Sequence, residues 1–208
     1  MNKLLLDIEH YYTKKIDLYG ATPKGVDWNS EESQNIRFNV LSQVILDDHD
    51  FSINDLGCGY GKYFEHLKLL GYKKFAYFGY DLSKKMINSA KECYKDKDSL
   101  ELKKIESASE MSVSDYSIAS GIFNVKMQYE ESKWLTYILS TLDYMHNASK
   151  KGFAFNVLTK YSDNEYMKDN LYYADPGFLF DYCKRNYSNN VALLHDYELY
   201  EFTIIVRK

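Results

Sequence analysis

Strand-like and helix-like segments alternate from residue 51 onward, which predicts an α/β protein built on a seven-stranded, mostly parallel sheet. Two further observations sharpen this. INDLGCGYG, residues 53–61, places three glycines directly after the first strand. The last two strand segments, 191–196 and 199–207, lie too close for a helical crossover, so they should pair antiparallel as an edge hairpin.

The elements follow in order. Residues 3–19 are amphipathic and predict a helix, and GATPKGVDWNS at 20–30 is a loop by its glycines and proline. Asn29 or Ser30 would cap the next helix, with Glu31 and Glu32 favourable in its first turn. That helix should run to about Leu46 and bury Ile36, Val40 and Val44, with Phe38 and Leu41 beside them. Strands are expected at 51–56, 75–81, about 100–105, 116–120 and 152–158, and helices at 62–70, 83–95, 132–146 and 177–186. The chain divides into an N-terminal helix and cap loop, 1–30, and one compact sheet unit, 31–208.

Composition excludes several classes. Of 208 residues, 45% are hydrophobic and 27% charged, so the chain can bury a core and is not disordered. No apolar run reaches membrane-spanning length, and MNKLLLDIEHYY lacks a signal-peptide core, which predicts a cytoplasmic protein. Cys58, Cys93 and Cys183 are scattered and odd in number, against a disulfide framework or structural zinc. The histidines show no metal-ligand spacing, so no metal is expected. A net charge of -4 argues against a large phosphate-binding surface and hence against nucleic acid.

Open α/β sheets bind ligands at the carboxyl ends of their strands. Glycines in the first strand–helix turn let a ligand approach the backbone. Asp81 ends the second strand, placed to accept hydrogen bonds from two ribose hydroxyls. The glycines are spaced GxGxG, with Lys62 where a dinucleotide fingerprint has its third glycine. Asp55, just ahead of the loop, would repel a pyrophosphate but could meet an amino group. A ribose at one end and an ammonium at the other describe S-adenosylmethionine.

DLGCGYG followed by YFGYDLS resembles the two cofactor motifs of the class I, Rossmann-like S-adenosylmethionine-dependent methyltransferases. The resemblance covers roughly residues 31–208. It implies S-adenosylmethionine as cofactor and S-adenosylhomocysteine as product. Carried over residue by residue, Asp55, Gly57, Cys58, Gly59 and Gly61 would line the methionine part and the ribose edge. Asp81 would hold the ribose hydroxyls and Leu82 pack on adenine. Ser107 and Ala108 fall where the family has an acid and a small residue at the adenine, and the acid is missing. Ser120 and Gly121 end the fourth strand, where the family passes the sulfonium.

Two segments would choose the acceptor. Residues 20–38 precede the first core strand. Trp28 there is either part of a cap over the cofactor or a loop anchor, and Arg37 either binds the methionine carboxylate or lies on a solvated face. TKYSDNEYMKDNLYYADPGF, residues 159–178, is too long for a plain connection, and Tyr172, Tyr173 and Asp175 are its acceptor-site candidates. If a base is needed, His195 is the first choice and His146 the second. SGIFN after the fourth strand is not the Asn/Asp-Pro-Pro-aromatic tetrapeptide of enzymes that methylate exocyclic amines, and no Pro-Cys pair offers a pyrimidine nucleophile. The acceptor is therefore expected to be a small molecule methylated at oxygen, similar to those of surface-polysaccharide or natural-product tailoring enzymes, including a capsule sugar or its phosphoramidate-type substituent. The alternatives are a protein or nucleic-acid acceptor, a nicotinamide-dependent oxidoreductase, or a non-catalytic cofactor-binding subunit. Monomer and homodimer both remain open.

Overall fold

The computed structural model describes residues 2–95 and 99–208. In chain order the elements are α1 (Lys3–Tyr19), α2 (Glu31–Ser42), β1 (Asp50–Leu56), α3 (Lys62–Leu69), β2 (Lys74–Asp81), α4 (Lys84–Cys93) and β3 (Leu100–Lys104). There follow β4 (Ser114–Ala119), α5 (Glu131–Asn147), β5 (Ser149–Leu158), α6 (Pro176–Asn186), β6 (Asn190–Leu194) and β7 (Glu201–Arg207). Short 3-10 turns stand at Pro23–Val26, Ala108–Glu110 and Asn164–Tyr166.

The seven strands form one sheet in the order β3-β2-β1-β4-β5-β7-β6. The β1–β2, β1–β4, β2–β3 and β4–β5 pairs are parallel, and β7 is antiparallel to both β5 and β6. The predicted C-terminal hairpin forms, and β7 slots between β5 and the outermost strand β6. This Rossmann-like arrangement puts the tips of β1, β2, β4 and β5 and the start of β7 along one sheet edge.

Alternation along the strands feeds two cores. Phe153, Phe155 and Val157 of β5 join Phe202, Ile204 and Val206 of β7 on one face, with Trp134, Ile138 and Leu142 of α5. Ala154 and Ile205 point to the other face, where Leu41, Phe64, Leu67 and Ile87 come from α2, α3 and α4. Each fully buried large apolar side chain contributes roughly 1.5–3 kcal/mol relative to exposure. Leu4 and Ile8 anchor α1 in the first core, and Thr13 hydrogen-bonds Ser83 at 2.7 Å.

Ser30 rather than Asn29 caps α2, its hydroxyl accepting from the Ser33 amide. The helix ends at Ser42, short of Leu46, in tight turns that still bury Val44 and Ile45. Ile36 is only half-buried, and Arg37 takes the inward position.

Candidate active site

Gly57, Gly59 and Gly61 adopt φ of 75°, 55° and 83°, which side chains with a Cβ rarely tolerate. The turn folds back on β2. The Gly57 and Cys58 amides donate to the Tyr80 carbonyl, and the Gly59 amide donates to Asp81 Oδ2 at 3.0 Å. Ser83 N–H donates to Asp81 Oδ1 at 2.8 Å. Burial pushes the Asp81 carboxyl up to about 6, although these backbone N–H groups pull it down. Asp55 lies at the end of β1 and is 3% exposed. Burial raises it to about 7, with the Tyr77 hydroxyl opposing and the Asp81 charge reinforcing the rise. Two carboxyls held ready to ionise therefore share one pocket wall.

Beyond β1, the tip of β4 carries Ser120 and Gly121. Gly121 has φ of 71°, and its amide donates to Asn156 Oδ1 at 2.8 Å. The Trp28 ring lies so close that a Cβ at Gly121 would stand 2.1 Å from it. The Arg37 guanidinium stacks over Trp28 at 3.9 Å and grips Glu201, with Nη2–Oε1 at 2.6 Å and Nε–Oε2 at 2.9 Å. Asn156 Nδ2 also donates to Glu201. The Ser120 hydroxyl oxygen is buried and finds no partner among the described residues.

A cavity of about 930 Å3 runs along this edge. One end holds Asp81, Leu82, Ala108 and Tyr137, and the other holds Leu158, Tyr166, Tyr173, Tyr200 and Glu201. Tyr12, Val26 and Trp28 roof it from the N-terminal segment. Tyr11 and Lys15 tie that roof down by donating to Asp27 at 2.5 and 2.6 Å.

Residues 54–152 match the family model described as "Methyltransferase domain". A protein of Mycobacterium tuberculosis (strain ATCC 25618 / H37Rv) named as a "Putative methyltransferase" is 51% identical over 158 residues, which is 76% of this chain and 93% of that one. The chain belongs to the class I S-adenosylmethionine-dependent methyltransferases. Solved structures share the fold. The magnesium protoporphyrin IX methyltransferase of Synechocystis PCC 6803, with bound cofactor, aligns at a TM-score of 0.68 with 9% identity, covering 100% of this chain and 98% of that one. Human N-acetylserotonin methyltransferase aligns at 0.66 with 11% identity, over 100% and 59%. S-adenosylmethionine is the methyltransferase's cofactor.

Most of the predicted cofactor residues converge on the cavity. Asp55, Gly57, Gly59 and Asp81 line its floor, Leu82 and Ala108 one end, and Ser120 and Gly121 its middle. Gly59 also admits the roof, since a Cβ there would lie 2.7 Å from Val26. Tyr173 lines the far end, and its hydroxyl accepts from the Lys168 amide. Trp28 is at once roof and anchor.

Several predicted residues do other work. The Arg37 fork is filled by Glu201, and its Nη1 donates to the Ser33 carbonyl, so it is not held out for a ligand carboxylate. Cys58 reaches the wall, but its thiol belongs to the second core, where burial pushes it well up. Gly61 stands outside the cavity and makes room for Tyr94, whose ring would lie 2.9 Å from a Cβ. Ser107 caps the 3-10 turn at Ala108–Glu110 instead of facing adenine. Asp175 is the N-cap of α6, accepting from the Gly177 and Phe178 amides and pairing with Lys160 at 2.8 Å. Tyr172 is buried, and its amide donates to the Asn124 carbonyl. His195 is exposed beside the outermost strand with its ring near Tyr161 and Phe202, away from the cavity. His146 stacks on Tyr187 at 4.9 Å, at the opposite sheet edge. Among the described residues, no histidine lines the cavity.

Sequence reasoning missed Asn156, Glu201, Asn124 and Tyr137. Asn156 had a signal: one amide inside the otherwise apolar GFAFNVL strand must find buried partners. Glu201 had a weaker one, as an acid opening an apolar strand.

Proposed function

We propose that this methyltransferase alkylates an oxygen of a small, ring-bearing acceptor, of the kind modified in surface-polysaccharide or natural-product tailoring. The observation that carries this is the partly open cavity of about 930 Å3, near the top of the roughly 300–1,000 Å3 range of small-molecule sites. It has room for cofactor at one end and a modest second molecule at the other. The wall at that second end is aromatic, with Tyr166, Tyr173, Tyr200 and Trp28 offering ring faces and hydroxyls. The fold neighbours that act on magnesium protoporphyrin IX and on N-acetylserotonin are named for small acceptors.

The residues present fit the cofactor. Asp81 uses one lone pair of each oxygen on backbone N–H groups and keeps others for two ribose hydroxyls. Asp55 offers a carboxylate to the ammonium group, and its ionisation is drawn out by that charge. Leu82, Ala108 and Tyr137 form an apolar slot for adenine. Ser120 lines the space between the two ends, with its unpartnered hydroxyl oxygen buried in the wall. Bound S-adenosylmethionine supplies a methyl group on positively charged sulfur. The chain's part is to hold the acceptor in line with that methyl and to exclude water, which the roof of Trp28 and Val26 does.

The test is S-adenosylhomocysteine release from S-adenosylmethionine with a cell extract divided by a filter, with Asp81→Ala as control. Release with the small-molecule fraction, lost in the variant, supports the reading. Release with the macromolecular fraction alone overturns the small-acceptor part.

A further inference from the structure

Beyond Gly121 the cavity wall includes Glu201, Asn124 and Arg37, and Asn156 backs them from behind the wall; all four are buried polar side chains. Glu201 is 1% exposed, Asn156 0%, Asn124 6% and Arg37 7%. They come from α2, the turn after β4, β5 and β7, so residues far apart in sequence meet at one carboxylate. Arg37 approaches through both Nε and Nη2, Asn156 through Nδ2, and Asn124 through Nδ2 at 3.5 Å. These donors fill most of the carboxylate's lone pairs, which leaves Glu201 little capacity to take an acceptor hydroxyl directly.

Its reach lies in what its partners hold. Asn156 uses its other end, Oδ1, to accept the Gly121 amide at 2.8 Å. Asn124 Oδ1 accepts the Leu158 amide at 3.1 Å, and the Asn124 carbonyl accepts the Tyr172 amide at 2.8 Å. Arg37 supports the Trp28 ring from below at 3.9 Å, and Trp28 closes on Gly121. One buried ion pair therefore ties together the roof, the β4 tip and the 159–175 segment, three pieces that bound the same compartment. A buried ion pair is a poor source of stability, because desolvation offsets its attraction. Its use is to hold one geometry.

We propose that Glu201 is a positioning residue for methyl transfer, acting through Asn156 on Gly121 and through Arg37 on Trp28, and that it sets the acceptor compartment rather than the cofactor site. This rests on the methyltransferase reading of the cavity. The cluster leaves the compartment's floor with no net charge, so the acceptor it shapes is one that needs no ionic anchor there.

The test compares the parent with Arg37→Met/Glu201→Leu, which removes both charges at once, and with Asn156→Ala, which leaves the Arg37–Glu201 ion pair and cuts the link from Glu201 through Asn156 to Gly121. Folding is read by thermal unfolding and cofactor-site integrity by S-adenosylhomocysteine affinity. Positioning is read by amide hydrogen exchange at Gly121 and by turnover, each assayed in whichever extract fraction the parent uses. The expected result is a folded protein with S-adenosylhomocysteine affinity within about threefold of the parent. Its Gly121 amide exchanges roughly tenfold faster, and its kcat falls roughly thirtyfold with the KM for S-adenosylmethionine little changed. Where the double variant does not fold, Asn156→Ala decides. Unchanged exchange and turnover in a folded variant overturn the proposal. So does a collapse of S-adenosylhomocysteine affinity, which would move the cluster to the cofactor half. A parent active only on macromolecules counts against the small-acceptor reading and not against this one. A parent inactive on both fractions leaves exchange at Gly121 to decide.

Discussion

Replacing Asp81 with Asn changes one atom at the tip of β2 and should weaken cofactor binding sharply. The carboxylate accepts one backbone N–H on each oxygen, from Gly59 at 3.0 Å and Ser83 at 2.8 Å. A carboxylate has about four lone-pair sites, so about two remain toward the cavity. Hydrogen bonds to a charged group are worth roughly 1.5–3 kcal/mol each. Two at the lower figure give about 3 kcal/mol, or roughly 150-fold in affinity. Asn keeps an oxygen for the Ser83 amide, so the α4 entry survives. The fold should unfold within a few degrees of the parent. The assay is calorimetric titration with S-adenosylhomocysteine, alongside thermal unfolding of the ligand-free protein. A loss of less than about threefold, with the fold intact, refutes the ribose role of Asp81.

Other perturbations follow from the same geometry. Asp55 and Asp81 are raised to about 7 and about 6 from an unfolded value near 3.9, so the stability they contribute without ligand is fully present below that value and is lost as pH rises through their folded values. Cofactor binding favours the ionised forms, so S-adenosylhomocysteine affinity should climb from pH 5.5 to about 8 with proton release; a flat profile in titrations at three pH values refutes it. Gly121→Val puts a side chain where Trp28 stands and into a left-handed backbone, so it should lower the melting temperature and turnover together, as thermal unfolding and product release would report. Asp175→Ala removes a helix cap and should cost about 1 kcal/mol of stability in denaturant unfolding, with turnover little affected. His195→Ala, on an exposed ring outside the cavity, should leave turnover near the parent's value in the same release assay.

The parts legible in the sequence are those whose meaning is local. GxGxG after an apolar run requires positive φ in a turn, and Gly57, Gly59 and Gly61 all show it. An acid at the end of the next strand must sit beside that turn, because β1 and β2 pair in parallel from Asp50↔Lys74 to Leu56↔Tyr80. The hairpin was legible from the shortness of its connection. The misreadings came from side chains whose partners are distant. Arg37 looked like a free fork because Glu201, 164 positions away, is invisible to local pattern. Asp175 stands out by its place in the long connection after β5 and Ser107 by its place in the family pattern, yet both are drawn to the nearest orphan backbone amides. His195 fell outside because β7 is inserted between β5 and β6, which moves the β6 tip to the sheet margin.

That division has a counterpart in the family match. The matched segment, 54–152, contains Asp55, Gly57, Gly59 and Asp81, which line the proposed cofactor end of the cavity, and Gly121 at its middle. It stops before Asn156, Tyr173 and Glu201 and begins after Trp28 and Arg37. The shared part of the fold therefore carries the shared chemistry, binding one methyl donor at strand tips held close by short turns. In the proposed reading the compartment for the acceptor is assembled from the two flanks of the chain, and its walls meet because β7, antiparallel to β5, starts at the ligand edge and presents Glu201 there. Flanks that do not share the motif can change ring contacts and floor polarity without disturbing the donor site. On the proposed reading, acceptor identity is to be sought in Trp28, Arg37 and residues 156–201, and substitutions there should alter which molecule is methylated before they alter how tightly the donor binds.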